Sequence, residues 1–205
     1  MGASSTIDPQ AEPRKSQRCP LVPHSRGRSW WTTVSGDTAS GGSVGAPGQI
    51  GDKVRRLECL AASTRVRMAW AASAELPLGQ LVSNRAEQLP IWTVDRTGRP
   101  VVGLMSKAIF AGVRPTFVLG LASGEVLEAT ANHPLLTMDG WLRVDELTLG
   151  DRIAALTGAT SRVALGWDQL TMIERAGSQP VYDLSVSESH NFIANGVVVH
   201  NSSWG

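Results

Sequence analysis

Val181-Tyr-Asp-Leu-Ser-Val-Ser-Glu-Ser-His-Asn-Phe-Ile-Ala-Asn-Gly-Val-Val-Val-His-Asn201 is the stretch whose reading decides the fold. Pro180 to Val186 is rich in β-branched and aromatic residues and reads as a strand. Asn191 to Ala194 is a second short apolar run. Asn195-Gly196 follows, a dipeptide suited to a two-residue turn with positive φ, and Val197 to Val199 completes a hairpin. Upstream, Pro115 to Leu121 and Glu125 to Thr130 read as a hairpin about Ser123-Gly124. Pro134 to Thr137 precedes the turn Asp139-Gly140, and Ile91 to Val94 precedes the turn Asp95 to Gly98. Only Leu78 to Asn84 and Val144 to Leu149 read as short helical turns. Pro90 to Asp95 and Pro180 to Ser185 resemble each other in character, as two β halves would. Many short strands separated by turn signals predict a compact all-β domain.

The whole chain has 205 residues, 42% hydrophobic and 18% charged, with a formal net charge of +1. That suffices for one good-sized domain. It offers no concentrated basic surface for nucleic acid and no apolar run long enough to span a membrane as a helix. Met1 to Gln17 lacks the apolar core of a secretory signal, so the expected compartment is the cytoplasm. Two cysteines, Cys19 and Cys59, make no disulfide framework, and the ligands for a metal are too few. The charge is uneven: residues 1–58 carry eight Lys/Arg against five Asp/Glu, and residues 59–201 eleven against thirteen. Residues 1–58 also contain the Gly/Ser-rich run Thr38 to Gly48, which cannot bury enough apolar surface to offset its ordering entropy. They read as an irregular flank. Trp30 and Trp31 stand out in it as aromatics that could dock on a partner, and Arg14, Lys15, Arg18, Arg26 and Arg28 read as a solvated basic segment.

Chemistry concentrates at a few points. Cys59 opens the β-rich part, Thr130-Ala-Asn-His133 follows a predicted strand, Asp183 and His190 lie in the last third, and His200-Asn201-Ser202 closes it. Each alone has an ordinary reading, as a buried small hydrophobe, a hydrogen-bonded strand-end histidine or a turn residue. Their order is informative. Cys59-Leu-Ala-Ala-Ser-Thr-Arg-Val66 resembles the first block of an intein, the self-splicing element of the Hint superfamily. Gly124 to Leu136 resembles the block carrying the Thr-x-x-His motif, and Gly140 to Ile153 the segment after it. Val181 to Asn201 is similar to the two C-terminal blocks nearly in full.

This resemblance implies a pseudo-twofold Hint fold over residues 59–201, with residues 1–58 and 202–205 as flanks. Its tone is that of inteins in actinobacterial replicative DNA helicases. Only Ala154 to Ser178 lies where large inteins carry an endonuclease, so a mini-intein without that domain is expected. The implied activity is single-turnover self-processing on its own flanks as a monomer, with no cofactor, metal, nucleic acid or membrane. Cys59 attacks the Glu58 carbonyl in an N-to-S acyl shift, aided by Asp183. His133 is the general acid, with Thr130 and Asn132 orienting the peptide and stabilising oxygen charge, a contribution typically of about 3 kcal/mol. Ser202 then takes the acyl group, and Asn201 cyclises with help from His200 and His190. Two rivals remain: a Hint domain that cleaves without ligating, which has no need of a nucleophile at Ser202, and an inactive β-rich binding module. A disulfide between Cys19 and Cys59 would mask the nucleophile until reduced.

Overall fold

A computed structural model describes residues 57–71, 74–157 and 164–202. Its architecture is all-β, as the turn spacing predicts, and one helical turn and a half accompanies twelve strands in one continuous, folded-over sheet. In chain order the strands are β1 (Leu60–Ala61), β2 (Arg65–Arg67), β3 (Glu75–Pro77), β4 (Glu87–Val94), β5 (Pro100–Leu121) and β6 (Val126–Thr130). They continue as β7 (Pro134–Thr137), β8 (Gly140–Arg143), β9 (Arg152–Thr157), β10 (Ala164–Val186), β11 (Asn191–Ala194) and β12 (Val197–His200). Helix α1 (Leu78–Ser83) follows Pro77, whose fixed φ suits the approach to a first turn, and buries Leu78 and Leu81. The second helical expectation is a 3-10 turn over Val144–Glu146, where the Glu146 carboxylate accepts the Arg143 N–H at 2.9 Å.

The expected short strands are, in two places, much longer. β5 has 22 residues and β10 has 23, and they pair antiparallel from Leu170 opposite Leu121 to Val186 opposite Met105. Pro115 and Pro180 read locally as strand starts, yet the strands begin at Pro100 and Ala164. The ladder continues because it absorbs its irregular residues as bulges. The register shifts between Arg175 and Gly177 and again between Val181 and Tyr182, while Gly177 and Gly112 sit at φ +85° and +106°. A bulge keeps the pairing while bending the strand, which a sequence pattern reads as a break. These two strands carry the architecture. β4 pairs with the first part of β5, β6 with its last part, and the first residues of β10 leave β5 to pair with β9. Both segments of the Pro90/Pro180 echo therefore lie against β5.

The hairpin β11–β12 turns at Asn195 and Gly196, with φ +45° and +73°, the pair of positive values that a type I′ turn requires. The Asn195 side chain accepts the Arg65 N–H at 2.6 Å and donates to the Val126 carbonyl at 2.6 Å, fastening the turn to two distant segments. This hairpin is buried on both faces. Phe192, Ala194, Val197 and Val199 enter the main core with Leu60, Val66, Ile91, Leu119 and Leu184. Ile193 and Val198, pointing the other way, enter a second cluster with Val94, Leu136, Ala154 and the half-buried Trp92, Trp141 and Trp167. Two-sided burial is why the run reads as continuously apolar rather than alternating. It also holds the end of β12 rigidly beside β7 and β9.

Candidate functional site

Cys59 is fully buried, packed with Ala111 and Val181, immediately before β1. β1 is short because it is wedged between β10 and β6, with Leu60 opposite Tyr182 on one side and Ala129 on the other. That places Cys59 against Thr130 at the end of β6. The Cys59 N–H donates to Thr130 Oγ1 at 3.1 Å, Thr130 Oγ1 donates to the Cys59 carbonyl at 3.3 Å, and the Thr130 N–H donates to the same carbonyl at 2.9 Å. The turn after β6 closes with the His133 N–H on the Thr130 carbonyl at 3.0 Å. From that turn Asn132 Nδ2 donates to the Leu57 carbonyl at 3.2 Å, and the Cys59 thiol donates to that carbonyl at 3.3 Å. The peptide between Glu58 and Cys59 is thus gripped on both sides.

Burial pushes the Cys59 thiol up from 9.0 to about 12, with the nearby charges of Asp183 and Glu58 adding to the shift and Arg114 opposing it. At neutral pH the group is a thiol and must lose its proton as it reacts. His133 is completely buried, and desolvation, with the nearby His200, depresses it from 6.5 to about 3. The Glu58 main chain pulls the other way; a pull of that sign comes from a carbonyl oxygen, the only main-chain acceptor. Neither ring nitrogen nonetheless reaches hydrogen-bond geometry with any group. His133 is therefore a neutral imidazole close to the Glu58 main chain.

The other end of the domain arrives at the same place. The Glu58 N–H donates to Ser202 Oγ at 3.0 Å, across 144 positions of sequence. Asn201 is fully buried; its Nδ2 donates to the Ser202 carbonyl at 3.2 Å and its Oδ1 has no partner. His200 Nδ1 lies 2.7 Å from the Glu58 carboxylate, and its ring meets Trp141 edge-on at 5.2 Å. Asp183 is buried on β10, close enough to Cys59 to influence its thiol. So Cys59, Thr130, Asn132, His133, Asp183, His200, Asn201 and Ser202 converge. His190 does not join them through its ring. It sits in a turn at φ +52° with an exposed side chain, and its carbonyl accepts the Asn201 N–H at 3.1 Å. Its contribution to the cluster is main-chain.

Sequence reasoning missed Glu58 and Asn191. In the sequence Glu58 is the residue whose carbonyl is attacked, with a side chain expected to slow the first step, and nothing local marks its pairing with His200. Asn191 is wholly buried; it accepts the Val94 N–H at 2.7 Å and donates to the Val94 and Ser189 carbonyls, which pins β11 and hence the paired β12. An asparagine opening an apolar run was the available signal. The expectations for Cys19, Trp30, Trp31 and the flank's irregularity lie outside the described residues. Among the described residues no three His, Cys, Asp or Glu side chains gather as metal ligands, and no helix is long and apolar enough to cross a membrane.

The chain has the all-β Hint fold of solved intein structures, with its two ends hydrogen-bonded to each other beside a buried cysteine. Among the solved structures it resembles are DnaB inteins. A variant of the Ssp DnaB mini-intein superposes with a TM-score of 0.66 at 28% identity, over 73% of this chain and 97% of that one. The DnaB intein from Synechocystis sp. gives 0.65 at 28% identity, over 71% and 99%. The DnaX mini intein from Spirulina platensis shares the fold, with a TM-score of 0.59 at 23% identity over 70% and 100%. In sequence the chain is 36% identical to the replicative DNA helicase DnaB of Rhodothermus marinus over 107 residues, 52% of this chain and 11% of the helicase. It is 33% identical to that of Nostoc sp. over 97 residues, 47% and 11%. The chain thus spans about a tenth of the length of the curated relatives it matches. No family model matches it.

Proposed function

We propose that this chain is a protein-splicing domain, residues 59–201, that excises itself and ligates residues 1–58 to residues 202 onward, in a DnaB-type replicative helicase host. The observation that carries the reading is the hydrogen bond from the Glu58 N–H to Ser202 Oγ at 3.0 Å, which brings the second nucleophile to the residue whose carbonyl must be transferred. In the first step the Cys59 sulfur bonds to the Glu58 carbonyl carbon and the bond to the Cys59 nitrogen breaks. The sulfur gives up one proton with Asp183 assisting, His133 takes that proton at its free ring nitrogen, and the departing nitrogen gains one from the other ring nitrogen, so the imidazole ends neutral as it began. A neutral imidazole suits this exchange because it can give a proton from one nitrogen and recover it at the other. Thr130 and Asn132 hold the flanking carbonyls in place, so the reaction is intramolecular with a high effective concentration.

In the second step Ser202 Oγ attacks the thioester and Cys59 sulfur leaves as a thiol. In the third, Asn201 Nδ2 attacks its own carbonyl carbon and the bond to Ser202 breaks, with His200 moving the proton. The acyl group then passes from Ser202 oxygen to its freed nitrogen as an ordinary amide. The short connection of residues 158–163 between β9 and β10 supports a mini-intein without an endonuclease. Ser202 at the junction favours ligation over cleavage alone.

The test is intact mass after expression and after incubation with a thiol reductant. Splicing yields residues 59–201 beside residues 1–58 joined to 202–205. Free residues 1–58 and 202–205 mean cleavage without ligation. A chain that stays full length, with or without Asn201→Ala, refutes the reading.

A further inference from the structure

The residue before the nucleophile belongs to the flank that leaves, and the chemistry outlined above uses only its main-chain carbonyl and gives its side chain no part. Here Glu58 touches the opposite junction with both its halves. Its N–H donates to Ser202 Oγ, and its carboxylate lies 2.7 Å from His200 Nδ1. The pair is largely screened from water, with side-chain exposures of 15% for His200 and 13% for Glu58. The His200 ring is further fixed by the edge of Trp141, and its backbone by pairing with Asn191. A carboxylate that accepts from Nδ1 fixes the proton there, which leaves Nε2 as the working nitrogen.

We propose that Glu58 is a positioning residue for His200, so that the upstream flank supplies the carboxylate that makes cleavage at the downstream junction efficient. The inference rests on the splicing reading. In the step concerned, Asn201 Nδ2 forms a bond to its own carbonyl carbon and gives up one proton, and the bond to the Ser202 nitrogen breaks as that nitrogen accepts one. His200 Nε2 carries the proton between them, and Glu58 holds the ring through Nδ1 while it does. A premature loss of residues 1–58 by hydrolysis removes the carboxylate and slows release of the downstream segment, which biases the domain towards ligating rather than scattering its flanks. The same carboxylate works against the first step, because its charge opposes a thiolate at Cys59. Glu58 therefore acts with opposite sign at the two junctions.

The experiment uses the full chain in two backgrounds. Cys59→Ala blocks the first step and isolates release of residues 202–205, followed by mass. There Glu58→Ala slows release about tenfold, a fraction of what a positioned acid–base group supplies, and Glu58→Gln, which keeps an acceptor without charge, falls between. Nitrogen-15 spectra of His200 report the Nδ1–H tautomer in the Cys59→Ala chain and a shift towards Nε2–H on Glu58→Ala. In the Asn201→Ala background, thiol-induced cleavage after Glu58 is unchanged or faster with Glu58→Gln, whereas a damaged fold would slow both reactions. Release within about twofold for Glu58→Ala with an unchanged tautomer overturns the proposal while normal splicing leaves the functional reading standing. A chain that neither splices nor releases its downstream residues overturns both.

Discussion

A cysteine held up at about 12 should be almost inert to reagents that need a thiolate. The ordinary thiol starts at 9.0, so the displacement of Cys59 lowers its thiolate fraction at neutral pH about a thousandfold, tenfold per unit. The perturbation is Asp183→Asn, which removes the second-ranked cause, the nearby negative charge, and leaves burial in place. The assay is alkylation by iodoacetamide, followed by intact mass, in a chain carrying Cys19→Ser, Asn201→Ala and Ser202→Ala, so that Cys59 is the only thiol and cannot be consumed by later steps. Folded, the rate should fall about three orders of magnitude below that of the same chain in urea. Its logarithm should keep rising with pH beyond 10, where an exposed thiol has already levelled off. Asp183→Asn should move the whole profile to lower pH while leaving it below the urea rate, since desolvation is the larger cause. A plateau near pH 9 in the folded chain refutes the electrostatic account. A slow rate that is flat with pH refutes it too, since steric shielding alone would then explain the protection.

Thr130→Val keeps the shape and deletes the hydroxyl that both accepts from and donates to the Cys59 main chain. It should destabilise the fold by about 1–3 kcal/mol in urea unfolding and slow thiol-induced cleavage at Glu58 more than release of the downstream residues. Gly196→Ala meets only ordinary contact, with the nearest Glu125 atom at 3.7 Å, so its penalty is the backbone's φ of +73°. It should cost about 1–2 kcal/mol by thermal unfolding, and a neutral result would mean that the turn relaxes without loss. His133 is depressed to about 3 in the folded chain and titrates at 6.5 when unfolded. The unfolded state therefore binds more protons between those limits, so the stability present above pH 6.5 falls as pH drops. The slope contributed is at most about 1.4 kcal/mol per pH unit. Between pH 6.5 and 5, before most carboxylates protonate, His133→Gln should flatten that slope; an identical slope in both chains means that the ring is not held neutral.

What the sequence by itself determined is the class of structure and the roster of reactive groups. Short apolar runs separated by turn residues set an all-β fold, Asn195-Gly196 set the two-residue turn of the closing hairpin, and Cys59, Thr130 to His133 and His200 to Ser202 announced themselves by order along the chain. These are local properties: a turn dipeptide or a β-branched run acts on residues within a few positions of itself. Tertiary structure alone decided the rest. The two long strands outlast their glycines and prolines because a ladder with partners on both sides tolerates bulges, and no local rule counts those partners. The ring of His190 faces solvent, although its place in a motif pointed inward, because a turn with positive φ spends its main chain on Asn201. His133 is neutral because it is desolvated, and Glu58 matters because a residue 142 positions away is folded against it. Desolvation and long-range pairing depend on which surfaces meet, and that is settled only when β1 is clamped between β6 and β10 and both ends of the domain close on one another.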